Sequence, residues 1–282
     1  MPVSPYFVSL FGSGRIALPF AYSARRETIN RQRHISAHTC TLNPRHLSTH
    51  RKMSAPTPTS LPALTSHLLS NSRLVYPPSI THATNSSLTA PIAALQVHPT
   101  LEAALHILNA DLPSAHFFVR HMQAPPAVEG MLLHAILHRC EGDMGNARAW
   151  AGDVEDACEG WVPKKKGEER LEKEVAQGCK GKNEEQSLVE FVYGEGSKGI
   201  EGLIVDVESA RGRKGSGTGD EVDETELEER IRTELGRVFE WCKKKFGDGA
   251  WMDASQAWVR HSEEVRQQSE NMVSGDQGWR KF

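Results

Sequence analysis

Leu133-His134-Ala135-Ile136-Leu137-His138-Arg139-Cys140-Glu141-Gly142-Asp143-Met144-Gly145-Asn146-Ala147 decides the fold class. Leu133, Ile136, Leu137 and Cys140 fall at i, i+3, i+4 and i+7, one face of an α-helix, and Asp143 then caps the start of another. The same text stands 32 residues earlier. Leu101, Ala104, Leu105 and Leu108 take the positions of the first stripe. Ala110-Asp111-Leu112-Pro113-Ser114-Ala115 takes the place of the turn, with Asp111 as the acidic cap and Pro113 inside the first turn. Pro125-Pro126 stops the helix that follows. The pattern predicts two helical hairpins, stacked as helix-pair repeats stack, because one hairpin cannot bury its apolar face alone.

The turn Gly142-Asp143-Met144-Gly145-Asn146-Ala147 resembles the corresponding turn of a tetratricopeptide repeat, with His106 and His138 standing where that repeat carries a bulky aromatic. The longer run from His116-Phe117-Phe118-Val119-Arg120-His121-Met122 through Leu137–Asp143 to Asn146-Ala147-Arg148-Ala149-Trp150, together with the terminal Gly278-Trp279-Arg280-Lys281-Phe282, resembles a fungal protein family of unknown function. The first resemblance implies a helical repeat that presents a face to a protein partner. The second implies no activity.

Outside the hairpins, 282 residues with 38% hydrophobic and 24% charged side chains exclude a fibre and a wholly disordered chain. The net charge of −3 conceals a division: residues 1–100 carry +8, with Glu27 their single acid, and residues 101–282 carry −11. Residues 1–52 hold seven arginines and Lys52 among Ser and Thr, and no sustained period. They are expected to be disordered and are left out of the fold. Two origins fit them: a mitochondrial transit peptide, which places the protein in the matrix, or an extension ahead of a start at Met53, which places it in the cytoplasm. The apolar run at Tyr6–Phe11 is too short and interrupted for a secretory signal.

Residues 53–100, rich in Pro, Ser and Thr with Arg73 their only formal charge, suit either a tether or a segment wrapping the body; Leu61, Leu64, Leu68 and Leu69 suit a short helix within them. No apolar run is long enough to span a membrane. Cys40, Cys140, Cys158, Cys179 and Cys242 form no CxxC pair, and their odd number argues against a disulfide framework.

The all-α domain is expected over 101–282, with flexible loops near 164–186 and 211–223. The first loop mixes Lys and Glu, including an exposed helix with frayed ends, and its balanced charge argues against nucleic acid as a partner. Short helices are expected at 187–193 and 199–210. The glycine-rich Arg211–Gly219 lacks the spacing of a phosphate-binding loop. Leu227, Ile231, Leu235, Val238, Phe239, Cys242 and Phe246 form a long stripe closed by Gly247. Trp251, Ala254, Trp258, His261, Val265 and Met272 form a second, and the two are expected to pair as a C-terminal hairpin. The tryptophans are expected in the core or at hairpin contacts, with Trp279 the exception.

One constellation goes beyond packing. His134 and His138 stand one helical turn apart, the separation that lets two imidazoles share a cation. Glu141 follows within a turn, and His116 and His121 lie on the neighbouring helix. The candidate ligand set for a divalent metal is His134, His138, Glu141 and His121. The glutamate of an HExxH motif is missing, so a zincin protease is not indicated. A metal with an open position for a hydrolytic water, and a His/Glu acid–base pair without metal, are the catalytic readings. The plain alternative is a set of packing histidines around a polar turn. The first expectation for the whole chain is a non-enzymatic scaffold for a protein partner; the second is a metal or small-molecule site at this cluster.

Overall fold

The computed structural model describes residues 58–182, 186–194, 199–216 and 221–259. Among them are ten α-helices and no strand. Residues 1–52, His261, Val265, Met272 and Gly278–Phe282 lie outside the described residues.

Helices α3 (Pro99–Leu108) and α4 (Leu112–Val119) form the first hairpin, and α5 (Val128–Glu141) and α6 (Met144–Cys158) the second. Helix α4 packs on α5 and so joins them. Every residue of α5 from Val128 to Cys140 is buried, so this helix lies at the centre and is covered on all sides. It ends at Gly142, whose φ of 89° suits glycine, and where an added Cβ would stand 2.6 Å from Arg211 Nη1. At Gly130 in the same helix an added Cβ would stand 2.2 Å from the Cβ of Met122, so the loop after α4 and helix α5 meet at backbone distance.

The two turns are not equivalent. Asp143 accepts from the Asn146 N–H at 3.0 Å and caps α6. Asp111 stands at the start of α4 without capping it through its side chain. Its Oδ2 instead accepts from the Thr89 hydroxyl at 2.9 Å and lies 3.1 Å from His106 Nδ1. Helix α4 also stops at Val119, before Pro125-Pro126.

The stretch read as a tether or a wrap is a wrap from residue 58 onward. It contains α1 (Leu61–Asn71) and α2 (Thr89–Ala93), and Leu61, Leu64, Leu68, Leu74, Val75, Leu88 and Ile92 are buried in the common core. Its backbone is satisfied from far along the chain. The Glu228 carboxylate accepts from the N–H of Leu74 and of Val75, both at 2.8 Å. Arg232 donates to Ser72 O at 3.1 Å, and Tyr76 O–H to Ala210 O at 2.7 Å.

Helix α7 (Lys173–Gly178) is the helical part of the 164–186 region, and the ends of that region's first loop meet where the Arg170 guanidinium lies 3.4 Å over the Trp161 ring. Helix α8 (Leu188–Tyr193) begins with a capping box between Ser187 and Glu190. Helix α9 (Gly199–Ser216) runs on into the stretch expected as a glycine-rich loop, as far as Ser216. The reason is Arg211, whose guanidinium spans two carbonyls, Val75 O at 2.7 Å and Cys140 O at 3.0 Å, and holds the helix onto the core.

Helix α10 (Glu221–Phe246) carries the long stripe and, among the described residues, packs on α1, α3, α8 and α9. Over residues 251–259 the chain makes a 3-10 turn at Ala254–Ala257, capped by Asp253, which accepts from the Ser255 N–H. The two tryptophans do not continue a helical stripe. Trp251 lies edge-on to His98, Trp258 stacks on His121 at 4.2 Å, and Val259 N–H donates to His121 O at 2.9 Å. Of the expected C-terminal hairpin, the described residues contain the first long helix and an irregular strap over 251–259; His261, Val265 and Met272 lie outside them.

Two buried polar clusters pin α10 to α5. Glu129 Oε1 accepts from Trp241 Nε1 at 2.8 Å and from Lys245 Nζ at 2.7 Å. Further along, Arg139 forms a two-pronged pair with Glu234, and Tyr193 O–H donates to the same carboxylate.

Candidate metal centre

Helices α4 and α5 cross where their histidines are. His134 and His138 share one face of α5, with ring centroids 4.8 Å apart and nearly parallel. His116 of α4 lies edge-on to both, at 5.1 Å and 5.5 Å. One ring nitrogen from each of the three lies within 4.8 Å of the others. The nearest pair, Nε2 of His116 and Nε2 of His134, are 3.1 Å apart. Two imidazole nitrogens on one tetrahedral zinc stand about 3.3 Å apart, given Zn–N bonds of about 2.0–2.1 Å. The third nitrogen reaches that distance by closing about 1.5 Å, a side-chain adjustment.

Burial keeps the rings neutral. His134 is 3% exposed, and its ring stacks on Trp150 of α6 at 4.2 Å. Burial, with help from His138, His116 and Arg120, pushes its pKa down to about 3. Burial and Arg120 also lower the pKa of His116, with Glu141 pulling the other way. Both rings are therefore neutral at physiological pH, the form in which imidazole binds a metal.

The polar accounting does not close. Neutral imidazole has one donor and one acceptor nitrogen. Whichever way the His116–His134 hydrogen bond runs, His134 Nδ1 is buried without a partner. His138 Nδ1 lies 3.0 Å from Glu141 Oε2 but out of line for a hydrogen bond, and it too is buried and unbonded. Glu141 Oε1 lies 3.8 Å from His116 Nδ1. Buried polar atoms of a native protein are generally paired, so the unsatisfied nitrogens gathered at this crossing call for a further partner.

Of the expected ligands, His134, His138 and Glu141 come together. His121 does not join them: its Nδ1 meets Phe117 O at 2.7 Å and its ring carries Trp258. His116 takes the place expected of it. The signal that separates the two is the length of α4, since His116 lies inside the helix and His121 two residues beyond its last turn.

The remaining candidates are packing groups. His106 is buried against Asp111, and His98 caps α3 by accepting from Thr100 N–H. Burial pushes the thiols of Cys140 and Cys158 up to about 12 and that of Cys179 to about 11, which leaves them unreactive near neutral pH. No helix among the described residues is long and apolar enough to cross a membrane. No protein-family model, curated protein or solved structure matches the chain.

Proposed function

We propose that the protein binds one divalent transition-metal ion through His116, His134 and His138, with Glu141 beside them. The observation that supports this most is the approach of three largely desolvated imidazoles from two helices, two of whose nitrogens already stand near a ligand-to-ligand distance. All-nitrogen donors suit zinc, copper, nickel or cobalt rather than magnesium or calcium, which take oxygen. Bound there, the ion clamps the first hairpin to the second.

The full chain, purified without chelator, is expected to carry about one equivalent of a single such ion by elemental mass spectrometry. His116→Ala and His134→Ala should each lose it, whereas His121→Ala should keep it. A folded protein without metal, also after exposure to zinc, would remove this reading.

A second reading, the scaffold for a protein partner that the tetratricopeptide-like turn implies, is favoured by Phe117. Its ring is 54% exposed on α4, beside Phe118 and His121. Here Phe117→Ser is expected to abolish association with a defined partner while leaving circular dichroism and metal content unchanged.

A further inference from the structure

We propose that Glu141 positions the imidazoles from outside the coordination sphere, so that a metal on His116, His134 and His138 keeps a fourth position open to water or a small anion. The inference rests on the metal reading above. Its own ground is the edge of each ring that the carboxylate faces. Glu141 Oε2 lies 3.0 Å from Nδ1 of His138, and Oε1 lies 3.8 Å from Nδ1 of His116. The two nitrogens of an imidazole point away from one another. A carboxylate at Nδ1 therefore leaves Nε2 on the far edge, and in His116 it is Nε2 that meets the Nε2 of His134.

A small rotation of Glu141 brings its oxygen into line with His138 Nδ1, which fixes the proton there and makes Nε2 the lone-pair nitrogen. This is the usual role of a carboxylate behind a metal-binding histidine. The orientation of His134 is set by stacking instead, its ring lying against those of His138 and Trp150.

Among the described residues the other nearby donors are engaged. Asp143 caps α6, His121 is held by Phe117 O and Trp258, and Cys140 is a buried thiol on the core side of α5. The crossing is also open to solvent on one side: the His116 side chain is 21% exposed and that of Glu141 25%, while His134 and His138 are buried. Arg120, exposed just past α4, brings a positive charge near His116 and His134 that favours an anion there.

Cobalt(II) loaded into the full chain reports this directly through its visible d–d bands. Sodium azide is expected to shift those bands saturably. Glu141→Gln should keep the azide response while weakening cobalt affinity by about 10–100-fold. If cobalt binds, azide leaves the bands unchanged and Glu141→Gln alters them by itself, Glu141 is the fourth ligand and the proposal is wrong. If no cobalt bands form at all, the metal reading beneath it fails, a result distinct from the previous one. Should the Gln variant not fold, the azide response of the wild-type chain decides alone.

Discussion

Replacing Glu234 by alanine is expected to lower folding stability by about 3–5 kcal/mol, seen as a shift in the urea midpoint. Arg139 is 1% exposed and Glu234 3% exposed, and the carboxylate is shared by the guanidinium and the Tyr193 hydroxyl. Removing it strands a buried positive charge and a buried hydroxyl together. Burial and the neighbouring carboxylate hold Tyr193 well above its ordinary pKa, so in the native protein the phenol is protonated and donates to Glu234. Replacing both partners, Arg139→Met with Glu234→Leu, removes the charge as well as its counter-ion, and should recover most of the loss. A loss below about 1 kcal/mol in the single variant would show that water or another acceptor reaches Arg139.

Acid should destabilise the protein through His98. Burial, assisted by Lys245, depresses its pKa to about 4, against about 6.5 in the unfolded chain. The unfolded state takes up the proton first. The contribution to stability is therefore complete above pH 6.5 and is lost as pH falls toward 4. At about 1.36 kcal/mol per pH unit, the loss at pH 5 is about 2 kcal/mol. The surroundings explain the preference for the neutral ring. His98 stacks on Phe246 at 3.7 Å, meets the edge of Trp251, and keeps Nδ1 2.8 Å from the Thr100 hydroxyl and in place to accept from the Thr100 N–H. His98→Asn retains a capping acceptor that does not titrate. Urea unfolding in the presence of chelator should show a fall between pH 7 and pH 5 that is smaller in this variant by about 2 kcal/mol. Equal falls in the two proteins would show that His98 titrates normally.

The elements legible in the sequence are those whose apolar spacing carries its own period. The stripes at Leu101–Leu108, Leu133–Cys140 and Leu227–Phe246 lie in helices α3, α5 and α10, and Asp143 caps α6 as its spacing predicts. The illegible parts depend on distant partners. Nothing local announces that residues 72–76 are held by Glu228, Arg211 and Arg232, or that Arg211 keeps a glycine-rich stretch helical. The strap at Trp251–Trp258 has helical spacing, but its indoles have better partners in the rings of His98 and His121. In the site, the spacing of His134 and His138 was sufficient for that pair. The choice between His116 and His121 turned on where α4 ends, and the part played by Glu141 on which edge of each ring it faces.

The Glu228 clamp also sets a timetable. The amides of Leu74 and Val75 are satisfied by a carboxylate 154 and 153 residues further along the chain. A ribosome adds about 5–20 residues per second, so the segment after α1 waits roughly 8–30 s for the helix that completes it. During synthesis the hairpins of α3 to α6 can close as they emerge, because each finds its partner within a few dozen residues. The wrap is thus the first part of the body to be made and among the last to be secured. Until α10 arrives, the backbone at Leu74 and Val75 is open to the chaperones and proteases that survey nascent chains.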